Sequence, residues 1–139
     1  MKASELSGST LAYLGDAVWS LLVREYLIEK GYQKPKDLQQ KSVFFVSAKA
    51  QARFYFHLES INYFAEEETE IFKRGRNFKG DSVPKNTDVA TYRTSTGFEA
   101  VIGFWYIHDN QKKIKEMWEI IRILMEGKDG TINLWEKHD

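Results

Sequence analysis

Apolar side chains recur at helical spacing along almost the whole chain, and no segment alternates with the period of two expected of a strand. Leu11, Leu14, Val18, Leu21 and Leu22 form one stripe, which runs on to Ile28 and stops at Gly31, a residue suited to a helix C-terminus. After Pro35, Leu38 to Val46 reads as a short helix, and Ser47 is placed to cap another from Ala48 to about Leu58. Glu66, Glu67 and Glu68 open a fourth helix, while Lys73, Arg74 and Arg76 close it, an order that complements the helix dipole. A polar loop with Gly75, Gly80 and Pro84 follows. Asn86 or Thr87 can cap a long helix to about Ile107, and Ile114, Met117, Trp118, Ile121 and Leu124 stripe the last one. The pattern predicts an all-α protein of about six helices. They form one domain over residues 1–139, with its core at about 9–126 and no internal repeat or low-complexity linker.

Composition narrows this picture. With 139 residues, 42% of them hydrophobic, the chain can fill one core and is not a disordered polymer. The absence of cysteine excludes disulfides, thiolate zinc sites and cysteine nucleophiles. The first residues are polar, unlike a signal peptide, and no apolar run approaches the roughly 18 residues that cross a bilayer. A soluble, cytoplasmic protein is therefore expected, with no membrane partner. Twenty basic and twenty acidic residues cancel, which by itself argues against a nucleic-acid binder, but the charges are unevenly spread.

Two carboxylates break the helical pattern. Asp16 sits inside the first apolar stripe, in Leu14-Gly15-Asp16-Ala17-Val18, where neither glycine nor aspartate favours a helix. Gly15 would let another backbone approach closely, and a buried Asp16 would need a partner. Glu99 repeats the pattern in Gly97-Phe98-Glu99-Ala100-Val101. Isolated carboxylates among apolar residues are the local rule-breaking found at functional sites. The structural alternatives are a helix starting late with Asp16 as its cap, and an ion pair of Glu99 with Arg24 or Arg93. Spacing alone leaves both open.

Leu14-Gly15-Asp16-Ala17-Val18 resembles the core of the ribonuclease III motif, and Phe98-Glu99-Ala100 resembles that family's second metal-binding segment. More closely, the chain resembles the Mini-III subgroup, catalytic domains without a double-stranded-RNA-binding domain. Val46 to Ala52, Lys73 to Asn77, Pro84 to Asp88 and Tyr92 to Thr96 carry that likeness, which runs from about Leu11 to Trp105. The resemblance implies a ribonuclease III-type fold in a twofold homodimer. It also implies a metal-dependent endoribonuclease acting on double-stranded RNA, in particular ribosomal precursor RNA of the large subunit. Asp16 and Glu99 would be the catalytic residues and would hold Mg²⁺, for which Mn²⁺ can substitute, since hard cations prefer carboxylate oxygens. A ribosomal protein is a candidate further partner. One departure stands out, which the Mini-III subgroup shares: full-length family members carry acids two turns and one turn before the motif aspartate and three residues before the second glutamate. Here Ser9, Ala12 and Thr96 occupy those places, which leaves the metal count open.

Lys73, Arg74, Arg76, Lys79 and Lys85 crowd one segment in which Asp81 is the only acid. Dipole compensation accounts for Lys73 and Arg74 but not for Lys79 and Lys85. With Asn77 and Asn86 as further donors, the segment is expected to contact phosphates and 2′-hydroxyls of RNA. Lys49, Gln51 and Arg53 are either an extension of that surface or a solvated helix face. His57, His108 and His138 are too scattered for a metal cluster, and the aromatics read as core or dimer interface. The competing function is a non-catalytic RNA-binding module that serves ribosome assembly, and retention of both Asp16 and Glu99 favours the enzyme.

Overall fold

The structure is a computed structural model and describes residue 2 and residues 5–78, 83–127 and 130–132. Among the described residues it has six helices: α1 (Gly8–Glu29), α2 (Pro35–Val46), α3 (Ala48–Ser60), α4 (Glu66–Arg76), α5 (Val89–Ile107) and α6 (Gln111–Met125). One isolated bridge, Glu126 with Ile132, is the only extended pairing among them. No helix of the described residues is long and apolar enough to cross a membrane.

Local chemistry sets the helix ends. The Ser7 hydroxyl accepts the Thr10 N–H at 3.1 Å and starts α1; Gly31, at φ 100°, lets the chain turn away after it. Pro35 occupies the first turn of α2, where its missing N–H costs nothing. Ser47 caps α3 as expected, accepting the Ala50 N–H at 3.1 Å. The cap of α5 is Asp88, which accepts the Thr91 N–H at 2.8 Å, rather than Asn86 or Thr87. Asp88 has the extended backbone a cap requires, whereas Asn86 is in the left-handed region at φ 65° and makes the preceding turn.

α5 is the central helix, buried over most of its length from Thr94 to Trp105, with α1, α3, α4 and α6 packed around it. Two glycine pairs set how near its neighbours come. A Cβ on Gly15 would overlap the Glu99 carbonyl oxygen, and one on Gly103 the Leu11 carbonyl oxygen, so α1 and α5 cross backbone to backbone. Gly75 and Gly97 do the same for α4 and α5, with a Cβ on Gly75 falling 2.9 Å from the Gly97 Cα.

That crossing fixes the rotation of α1, which differs from the predicted stripe. Because Gly15 must face α5, the buried side is Leu11, Ala12, Gly15, Trp19, Val23, Tyr26 and Leu27. Leu14, Val18 and Leu22 are only half-buried, while Leu21 and Ile28 are each 59% exposed. The aromatics do fill the core. Trp19 packs edge-on against Phe98 and Trp118 at 5.2 Å, and its Nε1–H donates to the Phe45 carbonyl at 2.8 Å.

Candidate active site

Asp16 and Glu99 line one cavity of about 260 Å³. The glycine crossing brings them together: Gly15 rests on the backbone of Glu99, so the residue after it must emerge beside the Glu99 side chain. Asp16 lies in the interior of a helix that begins at Gly8, which removes the capping alternative. It is exposed, so the partner that a buried Asp16 would need is not required.

Glu99 is the desolvated member of the pair. Burial, first, and the neighbouring Asp16 carboxylate, second, push its carboxyl up from 4.5 to about 9. Opposing this, the Gln51 side-chain N–H donates to Glu99 Oε2 at 3.1 Å. Among the described residues neither Arg24 nor Arg93 forms an ion pair with Glu99, so that alternative fails as well. Burial and a neighbouring carboxylate thus both favour the neutral form of Glu99.

The donor set suits a hard divalent ion. Its anionic ligands are oxygens, and Mg²⁺ is commonly held by one or two carboxylates with waters and substrate phosphates completing its shell. Among the described residues no cluster of three or more His, Cys, Asp or Glu side chains is present. Ser9, Ala12 and Thr96, the places of the missing acids, line the same cavity, so the departure read from the sequence falls inside the site.

The basic segment is in part where expected. Lys73 and Arg74 are exposed at the end of α4; Lys73 pairs with Glu70 at 3.6 Å, and the Arg74 guanidinium reaches the Leu6 carbonyl at 3.4 Å. Arg76 donates to Asn77 Oδ1 at 3.1 Å and lies over the Phe72 ring. Lys85 and Asn86 are exposed, and Lys79 lies outside the described residues. Phe78 and Val83 line the carboxylate cavity, while none of the described basic side chains between Lys73 and Lys85 does.

Gln51 was misread from sequence as a surface residue; it is 2% exposed. The signal was present, since Gln51, Phe54, Tyr55 and Leu58 follow the i, i+3, i+4, i+7 rule of a buried stripe. Lys49 is exposed and Arg53 half-buried. His57 and His108 stand apart from the cavity, and His138 lies outside the described residues.

The family model of the Ribonuclease III domain matches residues 9–110, and the chain belongs to that family. It is 45% identical over 112 residues to the Mini-ribonuclease 3 of Streptococcus pneumoniae, covering 81% of this chain and 88% of the relative. It is 45% identical over 122 residues to that of Staphylococcus aureus, covering 87% and 91%. The crystal structure of protein FN1578 from Fusobacterium nucleatum superposes with a TM-score of 0.78 at 35% identity, over 87% of this chain and 96% of that one. Within the family, the chain falls in the Mini-ribonuclease 3 group and is an endoribonuclease, a phosphodiester hydrolase.

Proposed function

We propose that this endoribonuclease cleaves double-stranded RNA in a Mg²⁺-dependent reaction, as a twofold homodimer, in the maturation of large-subunit ribosomal precursor RNA. The observation that carries the reading is the meeting of Asp16 and Glu99 in one cavity. Asp16 and Glu99 hold the ion, and Gln51 fixes the orientation of the Glu99 carboxylate. When bound, Mg²⁺ supplies an activated water and offsets charge on the phosphoryl oxygens. Mn²⁺ has the same preference for oxygen and can substitute.

Lys73, Arg74, Arg76, Asn77, Lys79, Lys85 and Asn86 grip the duplex through phosphates and 2′-hydroxyls. This favours recognition by shape, because the major groove of A-form RNA is too narrow to read. The half-buried Leu14, Val18 and Leu22 with the exposed Leu21 and Ile28 give α1 an apolar strip that supports the dimer. A dyad relating two sites also suits two antiparallel strands. A ribosomal protein that presents the precursor is the further partner this reading admits, in the cytoplasm.

The deciding experiment is cleavage of a duplex RNA by the wild type and by Asp16→Asn, with Mg²⁺ or with chelator. Cleavage should require both Mg²⁺ and Asp16, while Asp16→Asn keeps its melting temperature and binds the duplex. A well-folded Asp16→Asn protein that cleaves at the wild-type rate rules out this assignment.

A further inference from the structure

Arg93 lines the same cavity as Asp16 and Glu99. It is half-buried on α5, six residues before Glu99, which is about 9 Å along the helix axis. Among the described residues it has neither an ion-pair partner nor a hydrogen-bond partner. This is notable, because a guanidinium that lines a cavity with carboxylates commonly pairs with one of them. Two carboxylates share its cavity, yet the neighbours of Glu99 are Asp16 and Gln51. A cation that stands clear of the anions in its own cavity is matched to an anion that arrives with the substrate.

The rest of the wall sharpens the point. Ser9, Ala12 and Thr96 are neutral, and the Thr96 hydroxyl is spent on the Tyr92 carbonyl at 3.1 Å. Among the described residues the cavity thus offers two carboxylates, enough for one Mg²⁺ that keeps several waters, and no anionic ligand for a second. Phosphodiester hydrolysis still builds up charge on the non-bridging and leaving oxygens, which needs positive charge in a fixed place. The planar guanidinium fork, with two parallel N–H donors, fits a phosphate group.

We propose that Arg93 is the phosphate-binding cation of the catalytic centre, gripping the non-bridging oxygens of the scissile phosphodiester, and that each site accordingly takes a single divalent ion. This rests on the function proposed above. In the reaction the water oxygen bonds to phosphorus and the bond from phosphorus to one ribose oxygen breaks. That oxygen leaves with one proton, the other proton of the water passes to solvent, and Arg93 keeps its own protons throughout.

The test uses the full chain as wild type, Arg93→Ala and Arg93→Lys. Mn²⁺ binding without RNA, followed by electron paramagnetic resonance, should give one ion per chain in all three. Arg93→Ala should bind that ion several-fold more tightly, because a nearby positive charge is gone. Single-turnover cleavage of a short duplex with Mg²⁺ should fall about 10²–10³-fold in Arg93→Ala. Arg93→Lys should recover part of the rate, and so should added guanidinium ion. The melting temperature should stay within about 2 °C of wild type. Two Mn²⁺ per chain, or Arg93→Ala cleaving within about threefold of wild type, overturns the inference and leaves the function standing. A rate loss that tracks a lower melting temperature and is not rescued by guanidinium also overturns it, by making Arg93 structural. A wild type that binds Mn²⁺ but cleaves no duplex overturns the function, and the role of Arg93 with it.

Discussion

Glu68 and Glu99 both lie against the core of this protein, and their surroundings are opposite. Glu68, 6% exposed on α4, is surrounded by donors. The Trp105 indole N–H reaches it at 2.6 Å, the Ala65 backbone N–H at 2.8 Å and the Lys113 ammonium at 3.6 Å. Lys113 in turn lies 3.9 Å from the Tyr63 ring centroid, so the cluster ties α4, α5 and α6 together with its charge satisfied. Glu99 faces another carboxylate and has one neutral donor. A carboxylate with a complete set of partners serves the fold. One left to share its place with a second carboxylate is suited to a partner that is not part of the chain, such as the ion proposed above.

The two glutamates should therefore respond to mutation in opposite ways. Glu99→Gln should lower cleavage by about 10³-fold or more, roughly 4 kcal/mol of barrier, while stability holds or rises because folding no longer requires a carboxylate to take up a proton. A rate near wild type would erase the distinction from this side. Glu68→Ala should cost about 2–3 kcal/mol of stability, because it strands a buried indole N–H and a half-buried ammonium. That loss would be read from denaturant midpoints, with activity falling only as the protein unfolds.

The pH dependence tests the same contrast without mutation. Folded Glu99 holds its proton up to about pH 9, whereas the unfolded chain releases it near 4.5. Between those values the folded state binds more protons, so in chelator the contribution is complete below about pH 4.5 and is lost as pH rises towards 9. Melting temperatures should follow that decline, Mg²⁺ should flatten it, and Glu99→Gln should abolish it. A rising trend would contradict the assignment. The smallest effect concerns the basic segment: replacing Arg74, Arg76 or Lys85 singly by alanine should each flatten the salt dependence of duplex binding by about one unit of log–log slope. An unchanged slope would take that residue out of the RNA interface.

How legible these features were in sequence depended on whether the signal was local. The six helices could be read because periodicity and caps such as Ser47 are local, and Gly15 correctly announced a close backbone approach. The rotation of α1 could not, because an almost wholly apolar helix offers several stripes and only the crossing at Gly103 selects one. The same limit hid the roles of Gln51 and Glu68, whose partners lie 48 and 37 residues away along the chain. Asp16 and Glu99 were picked out as misfits; their meeting is a property of the crossing.

That crossing has a consequence for ion choice. The gap between α1 and α5 at the site is set by main chain against main chain, with no side chain between them to adjust its rotamer. The two carboxylates therefore work like the jaws of a caliper whose opening is machined rather than sprung. An ion held by both, as proposed above, would meet backbone positions fixed by the crossing, so coordination at about 2.0–2.1 Å and at about 2.3–2.6 Å would be less interchangeable than on a flexible loop. Discrimination between magnesium and calcium would then be written in two absent methyl groups, at Gly15 and Gly103, which never touch the metal.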